Sequence, residues 1–193
     1  MAVKRWYSAG LCYSQQVLRY MTGLRLGAYF GLEEVAEVLL KRGHFPDLKD
    51  TGDRTPLSYA AEKGYKAIVK LLLNAGRVDI NLRDIERGQT PLLYAVKGGY
   101  EAIIKLLLSI GEVDANLRDT ERDQTPLLYA VKRGYETIVK LLLDTRRVNA
   151  NLRDTKRGQT PLLYAVERRH KAIVKLLLNI SAVDVNLTDR EYN

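Results

Sequence analysis

Residues 90 to 108 decide the fold: Thr90-Pro91-Leu92-Leu93-Tyr94-Ala95-Val96-Lys97-Gly98-Gly99-Tyr100-Glu101-Ala102-Ile103-Ile104-Lys105-Leu106-Leu107-Leu108. Thr90 has the chemistry of a helix N-cap, and Pro91 follows at the first helical position, where its missing N–H costs nothing. A short inner helix is predicted from about Pro91 to Lys97, burying Leu92, Ala95 and Val96, and Gly98-Gly99 supplies a left-handed stop. From Tyr100 to Ser109, Ile103, Ile104, Leu106 and Leu107 fall on an i, i+3, i+4 stripe, which predicts a second, outer helix. An extended stretch, Val113 to Leu117, and a polar turn ending at Asp123 follow.

This unit repeats. Thr-Pro-Leu occurs at 55–57, 90–92, 125–127 and 160–162, a period of 35, and segments 82–116 and 117–151 differ at only ten of 35 positions. Ungapped agreement of that kind implies tandem duplication of one structural unit. Two helices this short cannot bury their apolar faces alone, so stacked units must share a continuous core. The last position of the polar turn is Gly88, Asp123, Gly158 and Asn193 in successive units, residue types that tolerate the positive φ of a tight turn. Thr22-Gly23-Leu24 and Gly31-Leu32-Glu33-Glu34-Val35 mark a degenerate repeat over 22–54, with Glu33, Glu34 and Glu37 giving a more polar, cap-like face.

The pattern Thr90-Pro91-Leu92, Ala95, Gly99, Ile103 to Leu108, Gly111 and Val113-Asp114-Ala115-Asn116 resembles the ankyrin repeat, in a lengthened form similar to arrays of filamentous fungi. The resemblance covers about residues 22–193. It implies an all-α solenoid of helix-turn-helix units with finger-like hairpin loops, working as a non-catalytic protein-binding scaffold. Two departures stand out. The family's histidine after Thr-Pro-Leu is Ser58, Leu93, Leu128 and Leu163, which shifts the units toward apolar packing. The glycine after the inner helix becomes Arg169 in the last repeat, and that after the outer helix becomes Arg146 and Ser181.

The organisation expected is a segment 1–21, then the degenerate repeat, then repeats starting near 55, 90, 125 and 160, with a truncated finger at 187–193. The last repeat lacks a cap, so either the chain is a fragment of a longer array, or a partner or self-association covers that face. Segment 1–21 carries Trp6, Tyr7, Tyr13 and Tyr20 with basic residues and no acid. It reads as a cap helix or the remnant of an upstream domain, with an acid-poor transit peptide as the alternative.

Composition narrows the function classes. The chain has 193 residues, 46% hydrophobic and 28% charged, and its single cysteine permits no internal disulfide. No apolar run reaches the roughly 18–20 residues of a membrane span, and no secretory h-region is present, so an intracellular setting, cytoplasmic or nuclear, is expected. His44 and His170 are the only histidines. No metal-ligand cluster, phosphate loop or nucleophile elbow appears, so neither enzyme nor cofactor is expected. The tyrosine ladder Tyr59, Tyr94, Tyr129 and Tyr164 could be a stacking platform for bases, but its strict period favours interlocking between repeats.

Surface is what remains. Net charge is +8, of which residues 1–32 supply +4. Finger tips and inner-helix positions form the concave face through which family members bind. In this sequence they hold Arg83, Arg87, Lys97, Arg118, Arg122, Lys132, Arg133, Arg153, Lys156, Arg157 and Arg168, against Glu86, Glu121 and Glu167. Gln89, Gln124 and Gln159 add donors and acceptors to the same surface. Asp84, Asp119 and Asp154 are set aside as bonded within the finger turn. The expected partner is an acidic protein; nucleic acid is disfavoured, and the chain could instead be the regulatory part of a larger signalling protein.

Overall fold

A computed structural model describes residues 22–155 and 157–186. Ten helices and no strand lie among them, in five antiparallel pairs. The pairs are α1 (Gly23–Phe30) with α2 (Glu33–Lys41), α3 (Pro56–Lys63) with α4 (Lys66–Ala75) and α5 (Pro91–Gly98) with α6 (Glu101–Leu108). Then come α7 (Pro126–Arg133) with α8 (Glu136–Asp144) and α9 (Pro161–Glu167) with α10 (Lys171–Leu178). Inner helices pack on inner helices and outer on outer, in chain order. The fold is an all-α repeat solenoid. The expected segment 1–21 and the truncated finger at 187–193 lie outside the described residues.

The caps work as the sequence chemistry requires. Thr55, Thr90, Thr125 and Thr160 each hold an extended backbone, and each side-chain oxygen accepts from the amide three residues on. All four are followed by proline at the first helical position. Where the family has histidine, Leu93 and Leu128 are fully buried, and Ser58 instead meets the Thr55 hydroxyl at 3.2 Å. Apolar packing has replaced a polar bracket. The core is continuous from Leu24 and Ala28 through the inner-helix alanines Ala60, Ala95, Ala130 and Ala165 to Leu177.

Side-chain amides run beside this core. Asn81 Oδ1 accepts from the Asp114 amide at 2.9 Å, and its Nδ2 donates to the Glu112 carbonyl at 2.8 Å, both in the next repeat. Asn116 and Asn151 repeat the pattern. Arg147 adds a clamp that Glu112, one repeat earlier at the same position, does not make. Its guanidinium donates to the carbonyls of Leu108, Ile110 and Gly111, at the C-terminal end of α6 one repeat earlier. A cation there also meets the negative end of the helix dipole.

The finger turns close with positive φ at Asp53, Gly88, Asp123 and Gly158, as their residue types allow; the equivalent Asn193 lies outside the described residues. Arginine stands in the same left-handed region at Arg77 (φ 58°), Arg146 (φ 55°) and Arg169 (φ 57°). A Cβ in that region costs on the order of 1 kcal/mol, and two of these three arginines fall in the last two repeats, whereas the repeat that starts at Thr90 has none. The substitution Arg169→Gly should therefore raise unfolding stability by about 1 kcal/mol in urea denaturation. Hydrogen exchange should find residues 160–178 opening before residues 90–108, and the reverse order would contradict a role for this strain.

Candidate partner-binding face

The finger side is organised by one aspartate per repeat. Asp84 Oδ1 accepts from the Arg87 amide at 2.7 Å, and Oδ2 accepts from the Gln89 amide at 2.8 Å and the Tyr94 hydroxyl at 3.1 Å. Asp119 accepts from the amides of Arg122 and Gln124 at 2.9 and 3.1 Å, and Asp154 from those of Arg157 and Gln159 at 3.0 and 3.2 Å. Asp154 also takes the Tyr164 hydroxyl. All three carboxylates belong to buried residues. They are turned inward, as expected of acids bonded within the finger.

The lysines do not stand free. Lys97 reaches forward 22 residues to Asp119 at 3.2 Å, and Lys132 likewise to Asp154 at 3.4 Å, so each ties an inner helix to the next finger. Lys132 also lies 3.9 Å from the centroid of the Tyr164 ring, a cation–π contact. Burial lowers the Lys132 ammonium pKa, and the pull of Asp154 does not fully offset it. Burial works against the Asp154 carboxylate too, yet the Tyr164 hydroxyl, two backbone amides and Lys132 hold it below the usual carboxylate range. One repeat earlier the charges are swapped. Glu62 stands in the lysine column and Arg54 in the glutamine column, and the two pair at 2.5 Å.

Gln89, Gln124 and Gln159 correct the sequence reading. They are 1%, 6% and 7% exposed, so they offer a partner no donors. Their backbones explain why: each amide donates to the finger aspartate, and each carbonyl accepts from that aspartate's amide at 3.0–3.1 Å. The residue that closes the hairpin must face inward.

The remaining basic residues divide by partner. Arg118 pairs with Asp123, Arg157 with Glu167 at 3.5 Å, and Arg122 approaches Glu121 at 3.8 Å. Arg133 lies on its own helix against Tyr129, donating to the hydroxyl at 3.2 Å. Arg83, Arg87 and Arg168 are exposed and Arg153 is half-buried. Their side chains have no hydrogen-bond or ion-pair partner among the described residues. Lys156 lies outside those residues. The tyrosine ladder goes to the core: Tyr59, Tyr94 and Tyr164 are 5–6% exposed and Tyr129 is half-buried. Sequence reading missed the lysine ties. Their signal was a Lys–Asp separation of 22 residues, recurring 35 residues later.

Comparison with known proteins now meets this geometry. The family description "Ankyrin repeats (3 copies)" matches residues 24–119 and 104–189. The chain belongs to the ankyrin-repeat family. It is 48% identical over 48 residues to an ankyrin repeat protein of Fowlpox virus (strain NVSL), a stretch that is 25% of this chain and 7% of that relative. Ankyrin repeats are generally protein–protein interaction modules and typically non-catalytic. Among the described residues no group of three or more His, Cys, Asp or Glu could hold a metal ion, and no helix is long and apolar enough to cross a membrane.

If Asp154 is the node of its finger, Asp154→Ala should cost about 3 kcal/mol in urea denaturation, because it orphans Lys132, Tyr164 and the amides of Arg157 and Gln159. A carboxylate held low contributes stability that is present above its unfolded-state pKa and is lost as pH falls through the folded one. The gap between wild type and Asp154→Ala should accordingly narrow only at strongly acid pH.

Proposed function

We propose that this chain is a non-catalytic adaptor whose finger side captures an acidic protein surface or segment. One asymmetry carries the reading. Of the acids on that side, Asp84, Asp119 and Asp154 are folded inward and Glu121 and Glu167 pair with Arg122 and Arg157. That leaves exposed Glu86 against Arg83, Arg87, Arg153 and Arg168, four arginines without a carboxylate among the described residues. An arginine fork on a finger tip suits carboxylates that arrive from outside. Lys97 and Lys132 belong to the scaffold on this reading, so the hand-hold lies on the finger tips and, through Arg168, at the end of α9.

Replacing Arg83, Arg87, Arg153 and Arg168 by glutamate should leave helicity and unfolding stability nearly unchanged. It should weaken binding of a polyglutamate probe by more than about tenfold and flatten its salt dependence. Unchanged affinity would remove the finger tips as the site. Affinity capture with the intact protein beside the same variant would then identify the natural acidic partner.

A second reading, self-association through the last repeat, is favoured by one column of side chains. Val96 and Val131 are fully buried by the following repeat, while Val166 is 57% exposed. Val185 is 61% exposed where Ala115 and Ala150 are buried. Sedimentation should then show mass rising with concentration, and Val166→Glu should abolish the rise.

A further inference from the structure

The amide ladder changes chemistry at its first rung. The motif Asn-Leu-Arg-Asp begins at Asn81, Asn116 and Asn151, but its first occurrence is Asp47-Leu48-Lys49-Asp50. An asparagine on this rung does two things: its oxygen accepts from an amide of the next repeat, and its NH2 donates to the carbonyl two residues before that amide. Asp47 does only the first. Its Oδ2 accepts from the Asp79 amide at 3.1 Å, while Oδ1 is buried with no hydrogen-bond partner. Two residues before Asp79, where the other rungs place the accepting carbonyl, the chain has Arg77, at a positive φ of 58° that Glu112, Arg147 and Ala182 do not share. An ionised carboxylate cannot donate to a carbonyl; a protonated one can.

We propose that Asp47 is a proton-operated link between the first repeat and the second, loose when ionised and completed when its carboxyl is protonated. The charged groups acting on it are few. The Asp79 carboxylate repels it from the facing repeat, and Lys49 attracts it from its own loop, although Lys49 also pairs with Asp53 at 3.7 Å. Burial, then the charge of Asp79, raises the carboxyl above its usual range, against the opposing pull of the Asp79 amide and Lys49. The sign follows: protonation is easier folded than unfolded. The link is therefore at full strength below the ordinary aspartate pKa and is lost as pH rises through the raised value. Acidification should tighten this one joint while it titrates the ordinary carboxylates elsewhere.

The Asp47→Asn variant places the standard amide on the rung. At about pH 7 the Asp79 amide and helices α1 and α2 should gain about tenfold in hydrogen-exchange protection, the scale of one buried polar group satisfied. The advantage over wild type should shrink as pH falls through the acid range, where the raised carboxyl takes up its proton before an ordinary aspartate does. The reciprocal variant Asn81→Asp should cost the Asp114 amide a similar factor at neutral pH and make its protection pH-dependent. Equal protection of the Asp79 amide in wild type and Asp47→Asn at pH 7 would overturn the proposal. So would an Asn81→Asp variant that behaves as wild type at every pH.

Discussion

The carboxylate buried at the root of each finger is the constraint on which the surface of this protein depends. Asp84, Asp119 and Asp154 fold the hairpin by capturing its amides, and two of them also receive a lysine from the preceding inner helix. A charge that is out of water needs such partners, since leaving it unpaired would cost several kcal/mol. The consequence reaches beyond stability. Each lysine spent on a finger aspartate is withdrawn from the surface, and each aspartate spent on a finger no longer neutralises a neighbouring arginine. That Arg83, Arg87, Arg153 and Arg168 are left without a carboxylate among the described residues is therefore a by-product of how the hairpins are held.

The same node links the two kinds of packing. Tyr94 and Tyr164 bring their rings into the inter-repeat core and their hydroxyls to the aspartate, so apolar interlocking and finger closure are made by one side chain. Burial and the nearby carboxylate raise both phenols, which keeps them neutral donors at any ordinary pH. Tyr129 departs from the pattern. Its hydroxyl accepts from Arg133, and Lys97 serves Asp119. Near-identical repeats thus satisfy the same carboxylate by different routes, according to which basic residue the local sequence provides.

The architecture was legible because a period of 35 and a Thr-Pro cap are properties of the chain itself. Helix existence, cap identity, the buried alanine column and the inward turn of the finger aspartates all follow from spacing and residue type. The face was legible only in part, for a physical reason. Motif position says which side a residue emerges on; it does not say whether the side chain turns out to water or in to a neighbour's charge. Gln89, Gln124 and Gln159 were misplaced because their backbone role in closing the hairpin leaves no freedom to face outward. Lys97 and Lys132 were counted as surface because their partners lie in a different repeat. Arg118 and Arg157 were counted correctly as basic, but their charges are shared with Asp123 and Glu167.

The exceptions to the period are also where the array acquires individual character. In the first clear repeat Arg54 and Glu62 occupy the columns held elsewhere by glutamine and lysine, and Arg54 lies over both Tyr59 and Tyr94, at 4.0 and 4.8 Å. A glutamate in the lysine column cannot pair with Asp84 as Lys97 and Lys132 pair with Asp119 and Asp154, and it takes Arg54 instead. That swap changes the sign of the inner-helix column without disturbing the finger. If the finger side is the binding face proposed above, a ligand running along it would meet scaffold charge of one sign at Glu62 and the other at Lys97 and Lys132. Repeats that differ so little in sequence can then still distinguish one end of a partner from the other, through a two-residue substitution whose members compensate each other.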